Sequence, residues 1–183
     1  MAFKSIRLEK QVCSKIVCKK TVIKKTISNR AIRRKPVCKR VAVKLPKIRK
    51  SAFHAIAGND QSIMDATITK VRYQAELLDL NNEYNASTST FQPKQNGIYT
   101  LQATILFESM TPTAITLNLD ILINGIPRIS DQESFTTRTG IIDASGIVQL
   151  KTHDHVEVFA RAIGESGDIR SGLSSRFEGA RIS

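Results

Sequence analysis

Glycine is missing from the first 57 residues of this 183-residue chain, and tryptophan is missing throughout. Prolines number five, only two of them, Pro36 and Pro46, in the first fifty residues, and all three cysteines, Cys13, Cys18 and Cys38, fall there too. Each shortage removes a class of protein. Without glycine at every third position no collagen-type triple helix can form in the N-terminal stretch. The Cys-x4-Cys pair with one distant cysteine lacks a fourth zinc ligand nearby, so no metal is expected there. No apolar run approaches the length of a membrane span. The opening MAFKSIRLEK has neither the apolar core nor the small-residue cleavage site of a secretory signal. Glycine-rich phosphate loops, nucleophile elbows and nucleophile–base pairings with recognisable local sequence are absent, and no carboxylate sits in a motif that would tune an acid–base pair. Neither enzymatic activity nor a cofactor is expected.

What is present divides at Lys50. Residues 1–50 carry eighteen Lys and Arg against one acid, Glu9, a formal charge of +17. Residues 51–183 carry ten against fifteen, a formal charge of −5. The expected organisation is therefore a basic, Cys-bearing arm, 1–50, and a mildly acidic head, 51–183.

The arm repeats itself imperfectly: Val12-Cys13-Ser14-Lys15, Val17-Cys18-Lys19-Lys20 and Val37-Cys38-Lys39-Arg40. Its β-branched residues favour extended backbone, while its like charges repel. An arm that orders against a partner satisfies both tendencies. An anionic surface or an acidic partner protein is the favoured partner. Nucleic acid is less favoured, because Phe3 is the arm's one aromatic residue and base stacking needs more. A solvated tail without a specific partner is the bland alternative.

Beyond Lys50 the apolar residues alternate. Tyr99, Leu101, Ala103, Ile105 and Phe107 form one face of a strand over 98–108, and Ile115, Leu117, Leu119, Ile121 and Ile123 one face of a strand over 115–123. Asn124-Gly125 then predicts a tight hairpin. Further strands are expected near 67–78, 126–130, 133–142, 145–151, 155–163 and 174–182. Turns are expected at Asn81-Asn82, Pro93 to Gly97, Ser145-Gly146, His153-Asp154 and Gly164 to Gly167. Short strands at this spacing, with no amphipathic helix, predict a β-sandwich.

Several segments, in order, resemble one family. Ser51-Ala52-Phe53-His54-Ala55 resembles an opening strand. The run from Tyr84 through Phe91-Gln92-Pro93 to Gly97-Ile98-Tyr99 resembles a turn, a Phe-x-x-Pro motif and a Pro-Gly-x-Tyr entry to a central strand. Leu117 to Gly125, Leu150 to Val156 and Ser175-Arg176-Phe177-Glu178-Gly179 resemble the later strands. The family is that of complement component 1q-like and tumour necrosis factor-like domains. Asn96 and His153 replace a proline and a glycine of its pattern, both at turns. The resemblance implies a ten-stranded jelly roll of two sheets that packs as a homotrimer, here without a collagen stalk. It places Tyr99, Phe107, Phe159 and Phe177 at positions of trimer or core packing. Some relatives hold calcium near the trimer axis, but no residue here carries that over.

His153-Asp154-His155 would put two imidazoles on one side of a strand, yet a polar turn explains the same residues and further ligands are lacking. Cys13, Cys18 and Cys38 read either as reduced thiols or as interchain cross-links, the latter favoured because basic surroundings lower a thiol pKa. Collagen-free heads of this kind resemble proteins of bacterial spore surface layers. The expected role is a non-enzymatic structural or display protein of a cell or spore surface, in the spore coat or exosporium, with no Sec signal peptide. Alternatives are a carbohydrate- or protein-recognition module working through loops at the sandwich ends, a polyanion- or nucleic-acid-binding protein acting through the arm, and a cytoplasmic location.

Overall fold

The computed structural model describes residues 50–183, and its thirteen elements are all strands. In chain order they are β1 (Ala52–Ala57), β2 (Gln61–Ile63), β3 (Thr69–Lys70), β4 (Ala75–Asp79), β5 (Tyr84–Asn85), β6 (Thr90–Phe91) and β7 (Gly97–Ser109). β8 (Ile115–Ile123), β9 (Ile126–Phe135), β10 (Thr139–Leu150), β11 (Val156–Ile163), β12 (Gly167–Ile169) and β13 (Gly172–Arg181) follow. The count exceeds ten because several are ladder pieces of two or three residues. Cys13, Cys18, Cys38 and the basic repeats lie outside the described residues.

The strands form two sheets. In the first, the thirteen-residue β7 is the spine. β10 pairs with its whole length, from Leu150↔Gly97 to Thr139↔Glu108. Its other edge is shared by β13 and then β12. β1 and β4 continue outward from β13, and β2 caps β12. The second sheet runs β5-β6-β11-β8-β9, with β3 also on β11. Every pairing is antiparallel, so each strand needs only one buried face.

Alternation decides which side chains meet between the sheets. On β8 every odd residue from Ile115 to Ile123 is buried and every even one is partly exposed. The centre is aromatic at one end. Phe53 stacks on Tyr84 at 5.2 Å and on Phe91 at 4.3 Å, and meets Phe177 edge-on at 4.8 Å. Such offset and edge-on pairs add roughly 0.5–1.5 kcal/mol each beyond the area they bury. Polar tips within this cluster find backbone partners. The Tyr84 hydroxyl donates to the Tyr73 carbonyl at 2.8 Å, and the Tyr73 hydroxyl donates to the Thr104 carbonyl at 3.3 Å.

Turn chemistry explains most boundaries. Asn124 (φ 52°) and Gly125 (φ 77°) close the β8–β9 hairpin as expected, because both tolerate positive φ. Asn82 and His153 likewise sit at positive φ in their turns. One expected turn is absent: Ser145-Gly146 lies inside a continuous β10, paired with Gln102 and Leu101. Here glycine makes room rather than a bend, since a Cβ on Gly146 would stand 3.1 Å from the Ile129 side chain of β9. The strands expected at 133–142 and 145–151 are thus replaced by a break at 136–138. The 67–78 strand is split into β3 and β4, with Val71 and Tyr73 buried between them.

Candidate functional site

Three of the four aromatic residues expected in trimer or core packing are consumed within one subunit. Tyr99, Phe107 and Phe177 are buried between the sheets. Phe159 is half-buried on the outward face of β11, between Lys70 of β3 and Asp120 of β8. The alternation of β11 already contained that difference. Val156, Val158, Ala160 and Ala162 form its inner face, which leaves Phe159 with Glu157 and Arg161 outside.

The His153-Asp154-His155 segment is a tied turn. Asp154 accepts from the Lys151 amide at 2.8 Å and from Asn124 Nδ2 at 2.9 Å. The His155 amide donates to Asn124 Oδ1 at 2.9 Å. Slight burial pushes the Asp154 carboxyl upward, but those bonds and the nearby Lys151 charge hold it below its ordinary value. The turn therefore locks the β8–β9 hairpin to the start of β11.

The outward face of the first sheet stands apart. Its rows can be traced from strand to strand: Leu78, His54, Glu178, Gln102 and Ser145; then Ala52, Ala180, Thr100 and Ile147. A third row is Ile56, Arg176, Thr104 and Asp143, and beside it Leu106 pairs with Ile141. Large apolar side chains here are left in solvent: Ile147 is 69% exposed, Ile141 51% and Leu78 44%. Two buried side-chain atoms, His54 Nε2 and Thr104 Oγ1, have no hydrogen-bond partner among the described residues, and both belong to this face. Buried polar groups are nearly always paired, and these two stand on the same face as exposed isoleucines and a leucine. Glu178 has Arg176 Nε at 3.3 Å and His54 Nε2 at 4.0 Å, the latter beyond hydrogen-bond distance.

A polar cluster occupies the other sheet. Lys70 Nζ lies 2.6 Å from Glu157 Oε1 and 3.0 Å from Thr90 Oγ1. Burial raises the Glu157 carboxyl, but the Lys70 ammonium and the Thr90 hydroxyl together hold it below its ordinary value. Among the described residues no group of three or more His, Cys, Asp or Glu side chains is placed to hold a metal ion, and no helix is long and apolar enough to cross a membrane.

Two antiparallel sheets packed face to face, with a long central β7 bordered by the last strand and by β10, define a jelly roll. No family of known proteins matches the sequence, nor does any curated protein. Solved structures do match. The tumour necrosis factor Eiger of S. frugiperda superposes with a TM-score of 0.53 at 10% identity, covering 73% of this chain and 93% of that one. Murine APRIL superposes with a TM-score of 0.57 at 17% identity, over 73% of this chain and 100% of that one. The globular domain of zebrafish complement 1qA is 19% identical, with coverage of 74% and 98% and a TM-score of 0.49. At such identities likeness speaks to the fold. The head has the jelly-roll fold of tumour necrosis factor-like domains.

Proposed function

We propose that this chain is a non-enzymatic display protein whose heads assemble as a homotrimer through the outward face of the first sheet. Residues 1–50 would anchor that trimer to an anionic surface or an acidic partner protein, in a bacterial spore coat or exosporium. The observation carrying the proposal is that face, where Ile147, Ile141 and Leu78 stay exposed and His54 Nε2 and Thr104 Oγ1 lack a hydrogen-bond partner among the described residues. Cyclic association covers such a surface with copies of itself, and the fold resemblance implies threefold packing.

The arm supports the anchoring half. Its charge of +17 contrasts with −5 on the head, so three arms per trimer would concentrate cation on one support. Cys13, Cys18 and Cys38 would then cross-link neighbouring chains. The spore setting rests on the likeness of collagen-free heads to spore surface proteins, together with the basic, Cys-bearing arm.

Light scattering on the full chain tests assembly: a mass of three subunits is expected, and a clean monomer would sink the proposal. Immunogold labelling of the source cell tests placement, with label at the spore surface expected. Label confined to the cytoplasm would reject the setting.

A further inference from the structure

We propose that β10 pairs antiparallel with β10 of a second copy, so that two first sheets join into one across a twofold axis. Among the described residues this strand is the one long edge without a guard. Its twelve residues, Thr139–Leu150, pair with β7 on one side without a register shift and with no strand on the other. A free edge is a template for a further strand, and proteins usually blunt it by shortness, bulges, proline or inward charge. The other edges are blunted in those ways. β2 has three residues, and β3 and β5 two each. β4 has five and bulges at Leu77 against β1. β9 has ten, but it carries Pro127, bulges at Arg128, and sets Asp131 and Glu133 opposite the buried Leu119 and Leu117. β10 has no proline, lysine, arginine or bulge, and its single charge, Asp143, lies on the outward face.

The residues of the strand name the occupant, because they are self-complementary about Ala144. Antiparallel pairing centred there sets Ile141 opposite Ile147 of the second copy and Asp143 opposite its Ser145. It also sets Ile142 opposite Gly146 and Gly140 opposite Val148, and every pair occurs twice. On the outward face an apolar pair lies at each end, with polar pairs between. On the inner face each branched side chain meets a glycine. Neighbouring registers lose the match. Centring on Asp143 opposes two carboxylates, while centring on Ser145 sets Asp143 against Ile147 and crowds Ile142 against Val148. A one-residue slip would turn inner side chains outward. A foreign strand gives no reason for such symmetry, whereas an isologous contact requires it.

Edge groups point along the sheet, while the proposed threefold contact uses side chains that point away from it. The pairing therefore does not rest on the trimer. One short pairing is weak alone, so it adds a concentration-dependent step to whichever unit the heads form.

The test uses the full chain with Cys13→Ser, Cys18→Ser and Cys38→Ser, to which Ile141→Cys and Ile147→Cys are added. Both positions are exposed, so the head should still fold. Directly opposed residues have Cα atoms about 4.5–5.5 Å apart, within disulfide reach. Oxidation in glutathione buffer should give a two-chain band on a non-reducing denaturing gel, since a twofold axis closes both bonds within one pair. Either cysteine alone should leave single chains, because the two copies of position 141 would lie roughly 20 Å apart. No cross-link from the double variant, or cross-linking by Ile141→Cys alone, would overturn the proposal. A three-chain band would also overturn it and would place these residues around a threefold axis, so failure here is distinct from failure of the assembly face. Charge supplies a second reading in sedimentation velocity of the otherwise native chain under reductant. Ser145→Asp should weaken the concentration-dependent step about tenfold through two reciprocal contacts with Asp143, and Ser145→Lys should strengthen it. Equal effects of the two substitutions, with circular dichroism unchanged, would reject the register.

Discussion

Phe53 and Phe159 are both aromatic residues on strands, and their surroundings assign them opposite consequences. Phe53 touches three other rings and is 2% exposed, so Phe53→Ala should cost about 3–5 kcal/mol in denaturant unfolding. Phe159 has one face open, and Phe159→Ala should cost under about 1 kcal/mol by the same measurement. Alternation along β11 made that contrast legible, but grouping the aromatic residues by family position obscured it. Titration adds a second residue-scale expectation. Lys70 and Thr90 depress the Glu157 carboxyl in the folded state, so its contribution is present above the unfolded value of about 4.3. It is lost as pH falls through the lower folded value. Removing the ammonium with Lys70→Met should flatten the acid limb of a stability-against-pH curve, and an unchanged limb would show that the pair contributes nothing.

At the scale of elements, long strands were readable and short ones were not. β8 appears at its expected bounds because nine residues alternate without interruption. β2 and β12 offer three residues each, too few for a period; Gly167 lets β12 approach β7, and β2 pairs in turn with β12. A Cβ on Gly167 would run into the Glu108 carbonyl and the Phe107 ring. Gly167→Ala should therefore destabilise the head by about 1–3 kcal/mol, measured as a lowered denaturation midpoint. The outward face of the first sheet was missed for a related reason. Cross-strand rows exist only once register is set, and no single strand announces that His54 and Glu178 will be neighbours. The β7–β8 connection carries a clamp of its own. Glu165 accepts from the Thr111 amide at 3.0 Å, from the Thr111 hydroxyl at 2.7 Å and from Thr113 Oγ1 at 2.9 Å. Those bonds hold its carboxyl below the ordinary value. Glu165→Ala should speed hydrogen exchange at the Thr111 amide while leaving β7 protection unchanged.

For the whole molecule, the proposed assembly face gives a sharp expectation. Ile147→Glu and Ile141→Glu place a charge where solvent already reaches, so each subunit should still fold. Buried at a threefold contact, the same charges would be costly and unpaired. Light scattering should then report monomers from variants whose circular dichroism is unchanged. A variant that stays trimeric would move the interface elsewhere. The fold as a class was legible because alternation and turn chemistry repeat along the head. The surface it uses was not, because one strand's pattern says which residues face out and not which of two sheets they face out from.

The position of β13 in the first sheet also governs when the head can form. This strand lies between β1 and β7, pairing Ala52 with Ala180 and Tyr99 with Arg181. On the ribosome it is made after every other strand of the head. Until it emerges, β1 has no neighbour on that side and β7 has only the short β12 at Phe107–Ser109, and the pocket for Phe177 stays open. Folding must therefore wait for the full head to be synthesised, through contacts that span almost its entire length. During that interval two unfilled strand edges are available to other nascent chains, which makes crowded synthesis the moment of greatest aggregation risk.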